Sequence, residues 1–100
     1  MTDELVFTVT IIARSGKVSE LKSKVLSLLE FIRQSSGCLQ YDIYQEKGRT
    51  DVFVVFERWE SRAHWLNNME TEVFKAFLEE NPKYVADFEI KELQRISFSS

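Results

Sequence analysis

The segment Val52–Trp59, which reads VFVVFERW, constrains the fold more than any other part of the chain. Valine and aromatic residues are enriched in β-strands, where successive side chains point to opposite faces. Alternation therefore divides the apolar residues into one set on each face: Val52, Val54 and Phe56; Phe53, Val55 and Trp59. Because both faces are apolar, a monomer with one sheet and one helical layer would leave one of them uncovered.

Three other segments have the composition of β-strands. They are rich in β-branched and aromatic residues and comprise residues 5–14, 39–46 and 88–98. A short polar loop containing Gly48 joins residues 39–46 to Val52–Trp59, so these two strands should pair as an antiparallel hairpin. In the last segment Leu93 falls out of phase with the other apolar residues, and we expect a β-bulge near Glu92.

Two segments have apolar residues at helical spacing. The stripe of the first consists of Val18, Leu21, Val25, Leu28, Leu29 and Ile32. Gly37 supplies a left-handed end to this helix. The stripe of the second consists of Leu66, Met69, Val73 and Phe77. Ser61 is its predicted N-cap and Glu80 lies near its end, after which Pro82 opens one short turn through Ala86.

The resulting order is β-α-β-β-α-β, which predicts an α+β, ferredoxin-like fold with both helices on one face of a four-stranded antiparallel sheet. At this length we expect one domain over residues 1–100. The other face would carry Val6, Ile12 and one apolar set of Val52–Trp59. A few exposed aliphatic side chains are common on monomers. A second copy would cover them, however, so we expect a homodimer through the sheet faces, a dimeric α/β barrel.

The charge balance argues against a nucleic-acid partner. The chain has 13 Lys and Arg against 16 Asp and Glu, a net charge of −3 at pH 7, without a basic cluster. Residues 53–56 match the end of the aromatic strand motif of RNA-recognition modules, which share this element order. The preceding residues, Thr50, Asp51 and Val52, do not match the motif. An RNA-binding module is therefore a weaker alternative, and we expect no nucleic acid.

The sequence predicts no membrane association. Residues 1–4 are acidic, and no apolar run approaches the roughly 18 residues of a membrane-spanning helix. We therefore expect neither a signal peptide nor a transmembrane segment, and a cytoplasmic location.

Few residues are available for catalysis. Cys38 and His64 are the only residues of their types, which excludes a disulfide within the chain and a zinc site built on cysteines. A lone cysteine such as Cys38 is usually a small buried apolar residue. The motifs HExxH, paired cysteines and a phosphate-binding glycine loop are all missing from the sequence.

The remaining candidate is an aromatic pocket. Trp59 closes the third strand, and His64 and Trp65 follow in the first turns of the second helix, so the three could meet at one end of the interface between sheet and helices. A flat apolar pocket with an imidazole at its edge would suit a planar aromatic molecule. His64 would accept a proton there, because its reference pKa lies near neutrality. The alternative for His64 is a partly exposed histidine without a catalytic role.

Several motifs give the chain a family resemblance. They comprise residues 36–42 (SGCLQYD), 56–61 (FERWES), Ala63 with His64, and 73–77 (VFKAF). Together they resemble the antibiotic biosynthesis monooxygenase family over nearly the whole chain. The resemblance implies a dimeric α+β barrel. It also implies an enzyme that oxygenates planar phenols, hydroquinones or anthrones with O₂ and without a metal or flavin.

The resemblance extends to some site residues. Trp59 matches a tryptophan of the polyketide-oxidising members, Trp65 stands where they have a tyrosine, and His64 matches the quinol-oxidising relatives. At other positions the chain departs from its relatives. Val55 replaces a strand asparagine, Asn68 and Val73 stand where many members have histidines, and Leu78 stands where haem-degrading members have their haem ligand. A haem-degrading activity is therefore not expected.

We thus predict a cofactor-independent monooxygenase with O₂ as co-substrate and a planar aromatic, phenolic or quinone-like substrate. His64 is the predicted catalytic residue, and no metal site is expected. The predicted substrate-binding residues are Trp59, Trp65, Tyr41, Phe7 and Phe74. The alternative from another class is a non-catalytic dimeric barrel that binds a small ligand or a protein partner, because the polar and histidine positions of the relatives are not all kept.

Overall fold

A four-stranded antiparallel sheet with helices packed on one face forms the fold in a computed structural model, which describes residues 4–98. Most of the acidic N-terminus discussed above therefore lies outside the described residues. The strands are β1 (Leu5–Ala13), β2 (Cys38–Gln45), β3 (Val52–Trp59) and β4 (Val85–Leu93). The helices are α1 (Val18–Arg33), α2 (Arg62–Met69) and α3 (Glu72–Glu80), followed by a 3-10 turn (Asn81–Lys83).

The order of the strands across the sheet is β2-β3-β1-β4, and every neighbouring pair is antiparallel. Val9 at the middle of β1 pairs with Val55 of β3 on one side and with Ile90 of β4 on the other. The predicted ferredoxin-like α+β fold is thereby confirmed. The predicted alternation along β3 is also present, since Phe53, Val55 and Trp59 point to the helices.

The second predicted helix is interrupted, so the expectation of one continuous helix was wrong. Thr71 ends α2 and begins α3: its hydroxyl donates to the carbonyl of Asn68 at 2.8 Å and accepts from the backbone N–H of Phe74 at 3.2 Å. Such a cap competes with the regular helical ladder. Ser61 caps the start of α2 as predicted, because its hydroxyl accepts from the backbone N–H of His64 at 3.3 Å.

The connections differ from the prediction in two further places. Helix α1 ends at Arg33, so Gly37, with φ of +82°, forms the turn into β2 instead of ending the helix. Strand β4 begins at Val85, which pairs with Ala13, so the turn after Pro82 does not reach Ala86. The register irregularity of β4 also lies at this end of the strand, and not near Glu92.

The core between sheet and helices consists of two clusters. One contains Leu5, Phe7, Leu28, Ile32 and Trp59, and the other contains Ala13, Leu21, Val25 and Phe53. In the register of the sheet, the pair Val9 and Val55 lies between the two clusters. This central region is where the helices leave a cavity.

No helix among the described residues is long and apolar enough to span a membrane.

The opposite face of the sheet carries no helix of residues 4–98. We call it the outer face, and its central side chains are Val6, Thr8, Thr10, Ile12, Val52, Val54 and Phe56. Five of these seven side chains are apolar. The two-sided character predicted for the third strand therefore extends to its neighbour β1.

Candidate functional site

A cavity of about 460 Å³ lies between the helix face of the sheet and the helices. Its floor on the sheet is formed by Phe7, Val9, Ile11 and Val55. Its wall on the helices includes Trp65, Asn68, Phe74 and Phe77. This volume lies within the range of about 300 to 1,000 Å³ that small-molecule sites occupy, and such sites are mostly apolar with a few placed polar groups.

Four of the five predicted substrate-binding residues line this cavity: Phe7, Tyr41, Trp65 and Phe74. The ring of Phe7 lies 4.8 Å from that of Trp65, centroid to centroid, at an interplanar angle of 50°. Phe74 makes a similar tilted contact with Phe77, at 5.8 Å. The aromatic wall is therefore held by ring contacts within the protein, which leaves a preformed apolar surface.

The fifth residue, Trp59, does not line the cavity. Its side chain is fully buried in the first core cluster. Its indole Nε1–H donates to Oε1 of Glu57 at 2.9 Å. Trp59 therefore does not contact the cavity itself. It holds the carboxyl group of Glu57, which lies two residues earlier on the same face of β3.

Glu57 brings a carboxyl group into the cavity from the centre of the sheet. It pairs with Phe7 of β1 and with Tyr41 of β2, and only 6% of its surface is exposed. Burial raises the pKa of this carboxyl above its ordinary value, and the hydrogen bond from Trp59 opposes that rise in part. Glu57 forms no ion pair with any residue in the range 4–98.

Two polar side chains accompany Glu57. Burial, and secondarily the nearby Glu57, raises the pKa of the Tyr41 phenol, which therefore stays protonated at neutral pH as a hydrogen-bond donor. Asn68 is buried at 4% exposure, and its Oδ1 lies 3.2 Å from the hydroxyl of Ser35. Asn68 also lines the cavity. A carboxyl, a phenol and an amide group thus lie in this part of the cavity, and the polar side chains of Arg14, Asn81 and Asp87 belong to its other end.

His64 lies outside the cavity lining. Its ring Nδ1 is 2.8 Å from the hydroxyl of Ser61, and its Nε2 is 3.7 Å from Oε2 of Glu60. The ring packs against Gly37, in the turn that leads into β2. The structure therefore does not bring the predicted proton acceptor to the predicted substrate-binding residues.

Cys38 is half-buried beside the first core cluster and also lies outside the cavity lining. Burial, followed by the charge of Glu57, raises the pKa of its thiol. A thiol with a raised pKa is a weak nucleophile at neutral pH. Its position fits the structural role expected from the sequence.

The other end of the cavity lies near the 3-10 turn. Arg14, Asn81, Pro82 and Asp87 line it there, and Nε of Arg14 donates to the carbonyl of Pro82 at 2.7 Å. In residues 4–98, no three His, Cys, Asp or Glu side chains are grouped as a metal-binding cluster.

Glu57 was not among the predicted site residues, although the sequence contains a signal for it. Residues 53, 55, 57 and 59 share one face of β3, and three of the four are large and apolar. A carboxylate in such a row is costly to bury unless it has a partner or a function. Asn68 was predicted only as a departure from relatives, and the structure buries it near the end of α2.

Residues 5–80 match the protein family described as antibiotic biosynthesis monooxygenase. The chain is 32% identical over 62 residues to YcnE of Bacillus subtilis, which covers 62% of this chain and 65% of YcnE. It is 27% identical over 84 residues to the protein sll1783 of Synechocystis sp., which covers 84% of this chain and 57% of that protein. The chain thus spans less than two thirds of the length of these two curated relatives.

Solved structures share the fold over nearly the whole chain. The crystal structure of PA3566 from Pseudomonas aeruginosa superposes with a TM-score of 0.92 at 29% identity, covering 97% of this chain and 98% of that one. Rv0793 from Mycobacterium tuberculosis has a TM-score of 0.88 at 17% identity, covering 97% and 99% of the two chains. At that lower identity the likeness concerns the fold alone. The family resemblance carried by the sequence motifs is confirmed by the family match.

Proposed function

Because the chain belongs to the antibiotic biosynthesis monooxygenase family, we propose that it oxygenates a planar phenolic, hydroquinone or anthrone-type molecule with O₂. No metal or organic cofactor takes part in the proposed reaction. The observation that carries the proposal is the cavity of about 460 Å³, with its aromatic wall and its few polar groups. A planar ring system fits between the sheet floor and the aromatic side chains of α2 and α3.

The chemistry depends largely on the substrate. A phenol or anthrone that loses a proton becomes an electron-rich anion, and this anion can itself reduce O₂. The protein then has to orient the ring, exclude water and manage protons. With anthrone as probe the balance closes without another reagent: anthrone and one O₂ give anthraquinone and one water.

The aromatic residues have distinct parts in this proposal. Phe7 and Trp65, in contact at 4.8 Å, cover the ring at the Glu57 end of the cavity. Phe74 and Phe77 of α3, in contact at 5.8 Å, cover it from the other short helix. Tyr41 and Asn68 donate hydrogen bonds to the substrate oxygen, where negative charge develops after deprotonation.

We also propose that the protein works as a homodimer in which the outer faces of two sheets pack together. The apolar side chains of Ile12, Val54 and Phe56, which the single chain leaves partly exposed on the outer face, support this arrangement. Such packing keeps the cavity, on the opposite face of the sheet, separate from the interface.

The proposed reaction is tested by O₂ consumption and product formation with anthrone. Isotopically labelled O₂ should place its label in the new carbonyl of anthraquinone, with one O₂ consumed per product. Ala86→Trp should slow the reaction at least about tenfold, because Ala86 is an exposed residue at the cavity lining and a larger side chain there takes up space that the substrate needs. Ala76→Trp, an exposed position on α3 outside the lining, is the matched control.

Two results would overturn the proposal. If anthrones, hydroquinones and phenols all failed to produce O₂ uptake dependent on the protein, the oxygenase function would be wrong. Binding of these molecules without uptake would favour the ligand-binding barrel instead. Equal effects of Ala86→Trp and Ala76→Trp would show that the reaction does not use this cavity.

A further inference from the structure

The carboxyl group of Glu57 is placed unlike the other carboxyl groups of the protein. It lies on the central strand β3, between Phe7 of β1 and Tyr41 of β2, at the floor of the cavity. Glu57 is the only acidic residue classed as buried within residues 4–98. Burying a carboxylate without a cationic partner destabilises a fold, and a glutamine or a leucine at this position would cost less.

The two oxygens of this carboxyl group differ. Oε1 accepts from the indole N–H of Trp59 at 2.9 Å, and the fully buried Trp59 ring cannot turn away. Oε2 has no hydrogen-bond partner in the described part of the chain. Every fully buried side-chain oxygen in the described residues has a hydrogen-bond partner. Because Oε2 has none, it is not fully buried. Since Glu57 lines the cavity, Oε2 is open to it.

The neighbouring titratable groups cannot take the role of a base. Glu57 interacts electrostatically with two titratable groups, Cys38 and Tyr41 of β2. Burial and the charge of Glu57 raise the pKa of both groups. They stay protonated and uncharged at neutral pH. Phe7, which pairs with Glu57 from β1, and the lining residues of α2, Trp65, Asn68 and Met69, do not titrate. Arg14 and Asp87 line the other end of the cavity.

We propose that Oε2 of Glu57 is the proton acceptor of the reaction, with Trp59 as the positioning residue that holds its carboxyl group. This inference rests on the proposed function and deepens it. The substrate presents an acidic O–H, or the acidic C–H of an anthrone, to Oε2. Tyr41 and Asn68 Nδ2 donate to the carbonyl or phenol oxygen of the same ring. The raised pKa of Glu57 supports the assignment, because a base is most effective when its pKa lies closer to the working pH.

Glu57 alone can accept and return the proton that anthrone loses first. Its carboxylate first takes the proton of anthrone, and the carbon anion then forms a C–O bond with O₂, which is reduced to a bound peroxide. Protonated Glu57 returns the proton to the outer peroxide oxygen. As the O–O bond breaks, the leaving hydroxide takes the second hydrogen of the same carbon, which gives the carbonyl and one water and regenerates the enzyme.

The experiment compares Glu57→Gln with the wild-type protein on a series of phenols and anthrones of falling pKa. Glutamine keeps an oxygen for the Trp59 N–H but cannot take a proton. With weakly acidic substrates kcat should fall at least about 100-fold, the usual contribution of a general base. Binding of anthraquinone, followed by quenching of tryptophan fluorescence, should change less than about threefold. With substrates already ionised at the assay pH, most of the lost rate should return.

A matched control and a second variant keep the inference testable. Glu80→Gln removes an exposed carboxyl group outside the cavity lining and should leave kcat unchanged. Trp59→Phe removes the indole donor together with part of a buried ring. It should raise the apparent pKa of the acidic limb of the kcat profile while the protein still binds anthraquinone.

Each possible outcome decides something. A wild-type protein without O₂ uptake overturns the proposed function and this inference with it. An active wild-type protein whose Glu57→Gln variant keeps its rate overturns the inference alone. A loss of rate that is the same for ionised and protonated substrates also overturns it, because a structural defect would act on both.

Discussion

The imidazole of His64 fills the space that a side chain at Gly37 would need. A Cβ atom at Gly37 would come within 2.2 Å of Cγ and 2.4 Å of Cδ2 of His64. The same glycine has φ of +82°, and its carbonyl accepts from the backbone N–H of Glu60 at 2.8 Å. The contact therefore joins the turn before β2 to the start of α2, and gives His64 a role in packing.

Gly37→Ala should destabilise the protein by about 2 to 4 kcal/mol, because it adds a left-handed backbone penalty to an overlap with the imidazole. Urea unfolding measures this change. Gly16→Ala is the matched control: it has φ of +79° but no atom within 4 Å of its Cβ position, so only the backbone penalty remains. The double variant Gly37→Ala, His64→Gly also removes the Cβ atom of His64, which would lie 2.5 Å away, so it should recover part of the loss, and strictly additive effects would contradict the overlap.

His64→Ala should lower kcat for anthrone less than about tenfold, which is below the usual contribution of a general base. The ring lies outside the cavity lining and contacts Ser61 and Gly37. This measurement decides between the sequence-based assignment of His64 and the assignment of Glu57. A fall of 100-fold or more at unchanged anthraquinone affinity would return the catalytic role to His64.

Glu57→Gln should stabilise the fold above neutral pH while it lowers activity. The fold raises the pKa of Glu57, so its stabilising contribution is complete below the unfolded-state pKa and is lost as the pH rises through the folded-state pKa. Each unit of difference between the two pKa values corresponds to about 1.4 kcal/mol. The free energy of unfolding, measured between pH 4 and pH 9, should therefore decline more steeply in the wild-type protein than in the variant.

Glu80 provides a control of opposite sign for this pH dependence. The hydrogen bond from Lys24 lowers the pKa of its carboxyl, so its contribution is present above the unfolded-state pKa and is lost as the pH falls through the folded-state pKa. Glu80→Gln should thus flatten the acidic side of the curve only. An identical response of the two variants would contradict the burial argument for Glu57.

Thr10→Lys should convert the proposed dimer into a monomer. Thr10 lies at the centre of the outer face, opposite Val54 of β3 and Glu89 of β4, and a lysine there would be buried between two sheets. Light scattering should give twice the 11.8 kDa chain mass for the wild-type protein and the single mass for the variant. Ser23→Lys, on an exposed position of α1, should keep the dimer. A wild-type monomer at micromolar concentration would contradict the proposed dimer.

Strands β1 to β3 could be predicted well because alternation along a strand does not depend on distant contacts, but the last strand, predicted over residues 88–98, runs from Val85 to Leu93. Val52–Trp59 has the predicted bounds and the predicted two faces. The helices were less predictable: the stripe from Leu66 to Phe77 has helical spacing on both sides of Thr71, so periodicity alone could not reveal the cap. Caps depend on one hydroxyl and one backbone N–H, which leave little trace in an apolar pattern.

The site was predicted in part for a similar reason. Phe7, Tyr41, Trp65 and Phe74 line one cavity, as their positions on predicted inner faces indicated. Trp59 and His64 were predicted to join these four residues because they are close to Trp65 in sequence. At the junction around Ser61, however, Trp59 points into the core and His64 packs against Gly37. Which side of a strand-to-helix junction a residue occupies depends on the turn, and the spacing does not specify it.

The break at Thr71 also bears on how this scaffold could change its substrate. Glu57 and Tyr41 are attached to neighbouring strands whose backbones are paired, whereas Trp65 and Phe74 belong to two short helices that are capped separately. Substitutions in either helix can therefore reshape the cavity without shifting the carboxyl and phenol groups. Selection for a new ring system could act on Trp65 and Phe74 of the helices, while the sheet keeps Glu57 and Tyr41 in place.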